Sequence, residues 1–230
     1  LDAGDFSARV NVPTEKEIAQ ERLLMETYKD MGYNAVAVGT MDLPYLSSLP
    51  DKRPLLLSLN LQAEKPVWRP YEVFELKGIK VVVTALTQAA GALDLISVLQ
   101  TAKNPGRIPD SYKILDPVTV FKEQLPMLKA KGDIVIVLSN LGGTADFELA
   151  QNVPGIDLII ESGPMPPINT PKQVGNTYIL KAHNKGQSIG VATLSISDKK
   201  LTGLTNRLEI LASDLPVDEA LERRIEALPK

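Results

Sequence analysis

Gly132-Asp133-Ile134-Val135-Ile136-Val137-Leu138-Ser139-Asn140-Leu141-Gly142-Gly143 is the stretch whose reading decides the fold. Ile134 to Leu138 is an unbroken apolar run, mostly β-branched, as expected of a strand covered on both faces. Ser139, Asn140, Gly142 and Gly143 then turn the chain at the strand's carboxyl end. In open α/β sheets that edge is where ligands bind, and here it presents an asparagine.

Outward from this strand the chain alternates. Upstream, Asp116-Pro117 is a helix start, with Asp as N-cap and Pro at the first helical position. Phe121, Leu125 and Leu128 form its buried face, Pro126 is expected to bend it, and Gly132 ends it. Downstream, Thr144 to Asn152 reads as a helix and Ile156 to Ile160 as another buried strand. Glu161 to Val174 reads as a loop stiffened by Pro164, Pro166, Pro167 and Pro171. Tyr178 to Ala182, Ser188 to Ser197 and Leu201 to Leu211 read as strands, and Val217 to Leu228 as a closing helix.

Towards the N-terminus, Leu1 to Asp5 reads as the end of a strand running into a loop at Gly4-Asp5. Thr14 and Glu17 have capping-box spacing ahead of a stripe through Ala19, Leu23, Leu24, Thr27, Tyr28 and Met31. Ala35 to Val38 and Leu55 to Leu59 read as strands. Tyr71 to Leu76 and Ile79 to Leu86 flank the hairpin signal Lys77-Gly78. Residues 87–115 read as a long surface loop with one helix inside Ala89 to Leu99. Strands and helices alternate early and antiparallel strands dominate the last third. That order predicts an α/β protein of two packed mixed sheets with helices outside. One domain is expected over residues 1–212, with residues 213–230 as a C-terminal helix leading to a further domain.

Composition narrows the function classes. The 230 residues are 44% hydrophobic and 23% charged, with a net charge of −3. No Lys/Arg cluster stands out, which argues against nucleic acid as a partner, and no apolar run approaches the ~20 residues of a membrane span. The chain has no cysteine, so it has no thiolate metal site or disulfide, and it has a single histidine, His183. Zinc sites and acid–base catalysis lean on imidazole, so that one count is restrictive. His183 lies in turn chemistry, Lys181-Ala182-His183-Asn184-Lys185-Gly186, and reads as a hydrogen-bonded surface residue.

Several pieces together resemble a known family. Leu1-Asp2-Ala3-Gly4-Asp5, Met31-Gly32-Tyr33-Asn34-Ala35 running to Val38-Gly39, and Leu57-Ser58-Leu59-Asn60 are similar to the catalytic domain of 5′-nucleotidases and UDP-sugar hydrolases. These are calcineurin-like metallophosphatases. Gly78-Ile79-Lys80-Val81 to Leu86-Thr87, Asp116-Pro117, Val137 to Gly142, Gly155 to Ile160 and Lys185-Gly186 to Gly190 continue the resemblance in order. The resemblance implies a four-layer α/β/β/α sandwich and, for active members, two divalent metals that activate a water and clamp a phosphate.

The resemblance also implies which positions would carry the metals. The bridging aspartate matches Asp5. The Gly-Asn-His-Glu/Asp block falls on Gly39-Thr40-Met41-Asp42, so Thr40 stands for the ligand asparagine and Met41 for the catalytic histidine. Asn140 stands for a ligand histidine. Glu161-Ser162-Gly163-Pro164-Met165 falls on a Gly-Gly-His-Ser-His block, with no histidine. The family's first Asp-x-His block would precede Leu1, so the opening strand is missing from this sequence. Supplying it would add one Asp and one His. Methionine thioethers suit soft ions rather than the hard metals of phosphoesterases.

The expected remnant site is therefore Asp5, Thr40, Met41, Asp42, Asn140, Gly163 and Met165, with no catalytic residue, metal or other cofactor assigned. Asp5 reads either as a relic ligand or as a loop carboxylate capping a turn. Asn140 reads either as a ligand-contacting amide or as one that satisfies backbone groups. Met41 and Met165 mark either an apolar pocket or gap-filling side chains. Asp42 and Glu161 are a candidate acid–base pair. Trp68, between Pro66 and Pro70, is either a contact surface or the cover of a hairpin edge.

The leading expectation is an inactive metallophosphatase-fold domain serving as a binding or scaffold module. Its partner would be an unknown protein or further domain, one that completes the sheet at the N-terminal strand, or a small-molecule ligand. The alternative is a phosphoesterase or 5′-nucleotidase-like hydrolase using one cation or an altered mechanism through Asp5, Asp42 and Asn140. Resemblance alone implies an exported protein, periplasmic or extracellular.

Overall fold

The computed structural model describes residues 1–7, 13–88, 109, 111–163 and 165–229. Its centre is a six-stranded sheet built from β4 (Tyr71–Leu76), β5 (Ile79–Leu86), β7 (Ile134–Ser139), β8 (Leu158–Glu161), β10 (Thr177–Lys181) and β9 (Ile168–Val174), in that spatial order. β5, β7, β8 and β10 are parallel, and β4 and β9 close the two edges antiparallel. Every residue of β7 is buried, because the sheet is covered on both faces.

One face carries α2 (Pro117–Lys131) and α3 (Gly143–Asn152). Phe121, Leu125 and Leu128 of α2 and Leu149 and Ala150 of α3 pack with Val82, Val135 and Val137. On the other face, Ala35, Ala37 and Leu57 meet Val81, Val83, Ile134 and Ile136. They come from the parallel pair β1 (Ala35–Ala37) and β2 (Leu55–Leu57). Ala192, Ile196, Leu201 and Leu204 join the same core from the antiparallel pair β11 (Ser188–Ser197) and β12 (Lys200–Ile210). Beyond β1 and β2 lies α1 (Glu15–Asp30), whose Met25 is fully buried against Val36, Val38 and Leu56. The order helix, sheet, sheet, helix is the four-layer sandwich.

The element signals are physical ones. Thr14 and Glu17 form a reciprocal capping box, each satisfying a donor of the other. Lys77 and Gly78 both take positive φ (52° and 80°), as a two-residue hairpin turn requires. Asp116 caps α2 by accepting from Thr119 N–H at 2.8 Å. α2 runs unbroken across Pro126. Leu1 to Ala3 lies against β1 through one parallel bridge, in which Asp2 N–H donates to Ala35 O and Ala37 N–H to Asp2 O.

Three sequence expectations need correction. The proline-rich stretch ending at Val174 is a strand over its second half, β9, and Pro171 is tolerated there because β9 is an edge strand. Within the expected 87–115 loop, β6 (Lys113–Ile114) pairs with β3 (Leu61–Gln62). The helix expected inside Ala89 to Leu99 and the turn at Asn104-Pro105-Gly106 lie outside the described residues. Lastly, Gly39-Thr40-Met41-Asp42 does not merely close β1. It opens a 3-10 helix, Thr40–Ser48.

The C-terminal α4 (Glu219–Glu226) is shorter than the expected helix and has no buried residue. It is tied to α1 by Arg224, whose Nη2 lies 2.6 Å from Glu26 Oε2. No helix among the described residues is long and apolar enough to cross a membrane.

Candidate functional site

Four loops converge at the carboxyl ends of the strands: Gly4-Asp5 after the N-terminal bridge, Gly39–Asp42 after β1, Asn140 after β7, and Ser162-Gly163 after β8. Asp5 sits in the left-handed region (φ 57°), which turns its carboxylate inward. Oδ1 accepts from Met41 N–H at 3.1 Å and Oδ2 from Asn140 Nδ2 at 2.6 Å. Asp42 is fully buried. Its Oδ1 accepts from Ser7 N–H (2.9 Å), and its Oδ2 from Gly39 N–H (2.7 Å) and Asp5 N–H (3.0 Å). Burial, chiefly, pushes both carboxyls above the ordinary range. The charge of Asp5 adds to the push on Asp42, which is raised well above.

Asn140 is the hub. Its Nδ2 also donates to Ser162 Oγ (3.0 Å), and its Oδ1 accepts from Thr40 N–H (3.3 Å). Thr40 Oγ1 donates onward to Gln88 O at 2.8 Å. From Ser162 the chain of contacts continues to Lys181, at the end of β10. Lys181 Nζ donates to Ser162 O (2.7 Å) and to Glu161 Oε1 (3.1 Å). This ion pair is buried, with side-chain exposures of 2% for Lys181 and 5% for Glu161. Asp146, on the first turn of α3, is fully buried nearby. Its Oδ1 accepts from Ser139 Oγ, and its Oδ2 has no partner. Its carboxyl is raised to about 7, foremost by burial and further by the Glu161 charge, against the Ser139 hydrogen bond and Lys181.

Of the positions expected at the site, Asp5, Thr40, Met41, Asp42 and Asn140 are brought together. Met41 contributes its backbone N–H. Gly163 lies beside the Lys181 ammonium, which a side chain there would approach at 3.8 Å, and Met165 is 49% exposed. No hydrogen bond joins Asp42 to Glu161. Their partners are the backbone and Lys181 respectively. His183 hydrogen-bonds Ser188 through Nδ1 at 2.8 Å. Trp68 is buried in the core cluster with Leu56 and Leu61, and its neighbour Arg69 bridges Leu57 of β2.

The sequence reading missed Ser162, Lys181 and Asp146. One signal was available. Lys181 follows Thr177 and Ile179 at period two, on the inward side of a strand. A lysine there requires a buried anion.

The residues present do not fit a binuclear metal centre. Of the roughly four acceptor sites of a carboxylate, Asp5 already gives two to N–H donors and Asp42 three, so each would meet a cation with its lone pairs partly engaged. Asn140, which the resemblance sets against a ligand imidazole, faces Asp5 with Nδ2 as a donor. Among the described residues no group of three or more His, Cys, Asp or Glu is placed to hold a metal ion.

Close approach also fixes Gly39. A Cβ there would stand 2.1 Å from Asp5 Oδ1 and 2.5 Å from Asp5 N. Gly39→Ala is therefore expected to cost roughly 2–4 kcal/mol, because the backbone on one side must move. Urea unfolding would measure it, and a loss below about 0.5 kcal/mol would show that the loop is loose.

No family model matches the chain. It is similar to the NAD 5′-nucleotidase of Haemophilus influenzae, 27% identical over 123 residues, which is 52% of this chain and 17% of that protein. It is also similar to the trifunctional nucleotide phosphoesterase of Bacillus subtilis, 28% identical over 165 residues, 69% of this chain and 10% of that protein. Among solved structures, the sulfate thiohydrolase SoxB of Thermus thermophilus superposes with a TM-score of 0.81 at 19% identity, over 99% of this chain and 41% of that one. The 5′-nucleotidase precursor of Thermus thermophilus gives 0.77 at 20%, over 99% and 48%. The chain thus spans less than half the length of each. The sequence resemblance extends to the whole fold, which is that of a 5′-nucleotidase-like metallophosphatase domain.

Proposed function

We propose that this 5′-nucleotidase-like domain works without a metal centre, as a binding or scaffold module of an exported protein. The observation that carries the reading is the hydrogen-bond chain Asp42–Asp5–Asn140–Ser162–Lys181–Glu161. The family resemblance implies metals that would tie such loops together. Here an amide and an ammonium join them, and Asp5 and Asp42 accept from N–H donors at every carboxylate oxygen. Fold alone does not carry activity, which lives in the site.

A second reading is hydrolysis of a phosphoester through a single cation at Asp5, Asp42 and Asn140; the names of both curated relatives favour the hydrolysis. The two readings separate on ligand linkage. A cation held at 100 times its Kd adds about 2.7 kcal/mol to stability. The scaffold reading expects no rise in melting temperature with excess Mn²⁺ or Zn²⁺. A rise of several degrees that Asp5→Ala abolishes would replace it with the single-cation reading.

A further inference from the structure

Away from the strand-end loops, a cavity of about 570 Å³ opens between the β2–β3 connection and β6. That is the size of a small-molecule pocket. Two aromatic rings form part of its wall: Trp68 and Tyr112, with centroids 6.0 Å apart and planes tilted by 51°. Leu61 and Pro66 add apolar surface, and Ser58 and Lys113 add polar groups.

Two observations say what such a cavity would take. First, the rings of Trp68 and Tyr112 both contribute to the wall, and their apolar surface suits contact with another ring. Second, Lys113 is the one ionised side chain among the described residues of the lining. The wall therefore offers apolar ring contact and one positive charge.

We propose that this cavity is a binding site for a small aromatic carboxylate. The ring lodges against Trp68 and Tyr112, and the carboxylate meets Lys113. The site does not depend on the metal-free reading of the strand-end loops. Ser58 links the two regions, since its Oγ lies 2.7 Å from Thr87 Oγ1, which donates to Val38 O next to Gly39.

Trp68 is the only tryptophan in the chain, so its fluorescence reports on the cavity alone. The test titrates the intact protein with phenylacetate, benzyl alcohol and benzylamine, which share a ring and differ in charge. The expected result is a saturable change with phenylacetate, bound at least about tenfold more tightly than benzylamine, with the alcohol between. Lys113→Gln is expected to weaken phenylacetate about tenfold and remove the preference, and Lys113→Arg to keep it. Lys113 is exposed, so both variants are expected to melt with the wild type. The proposal is overturned by no saturable change up to about 10 mM, by equal binding of the three probes, or by unchanged phenylacetate binding in Lys113→Gln.

Discussion

Lys181→Met is expected to destabilise the domain by about 3–5 kcal/mol, the cost of leaving a buried carboxylate without its counter-ion. The substitution keeps the aliphatic bulk and removes the charge. Glu161 and the Ser162 carbonyl then lose the ammonium that lies 3.1 Å and 2.7 Å away. For a chain of this size the melting temperature should fall by roughly 10 °C. The double variant Lys181→Met with Glu161→Met removes both charges, and is expected to recover most of the loss, because a buried pair is often matched by apolar residues of similar volume. Equilibrium unfolding of the two variants decides the matter. A single variant within about 1 kcal/mol of wild type would mean that water reaches the pair and that the chain of contacts does not bind the β8 and β10 loops together.

The second large effect is in pH. Asp146 rises from an ordinary 3.8 to about 7 in the fold, with burial as the main cause. Between those values the folded protein keeps a proton that the unfolded chain releases. Stability therefore falls as pH rises through this window, by up to on the order of 4 kcal/mol from this group. Asp2, Asp5 and Asp42 are raised as well and pull in the same direction. Asp116 and Asp133 are held below the ordinary range by hydrogen bonds from Thr119 and Lys80 and pull the other way; Asp116 is exposed, where such effects are screened.

The domain is thus expected to melt higher at pH 5.5 than at pH 8, the reverse of a protein held by surface carboxylates. Asp146→Asn removes the ionisation while leaving an acceptor for Ser139. It should melt above wild type at pH 8 and show a flatter profile below pH 7. A wild-type melting temperature that climbs steadily from pH 5.5 to 8 would contradict the burial of this group.

Much of the fold was legible because the signals were local. The apolar run Ile134–Leu138, the Thr14/Glu17 capping box, Asp116-Pro117 and Lys77-Gly78 each fix backbone geometry without help from the rest of the chain. Residues 168–174 were not legible as a strand, because Pro171 argues against one unless its place at a sheet edge is known. β3 and β6 were not legible either, since two-residue strands have no periodicity to read.

The site divides the same way. Asp5, Thr40, Asp42 and Asn140 could be placed together from the resemblance, and their loops do converge. What each does there could not be read. That Asn140 donates to Asp5, that Asp42 is consumed by three backbone N–H groups, and that Lys181 reaches Ser162 depend on side chains meeting across as many as 135 positions of sequence. Sequence spacing carries no record of such meetings.

The most direct test of the metal-free account is the metal content of protein incubated with excess Mn²⁺ and Zn²⁺ and then desalted, measured beside hydrolysis of a phosphomonoester. The account predicts far less than one metal per chain and no turnover above buffer. About two metals retained per chain, together with turnover that Asp5→Ala abolishes, would contradict it and would mean that Asp5, Asp42 and Asn140 give up their hydrogen bonds to rebuild a centre.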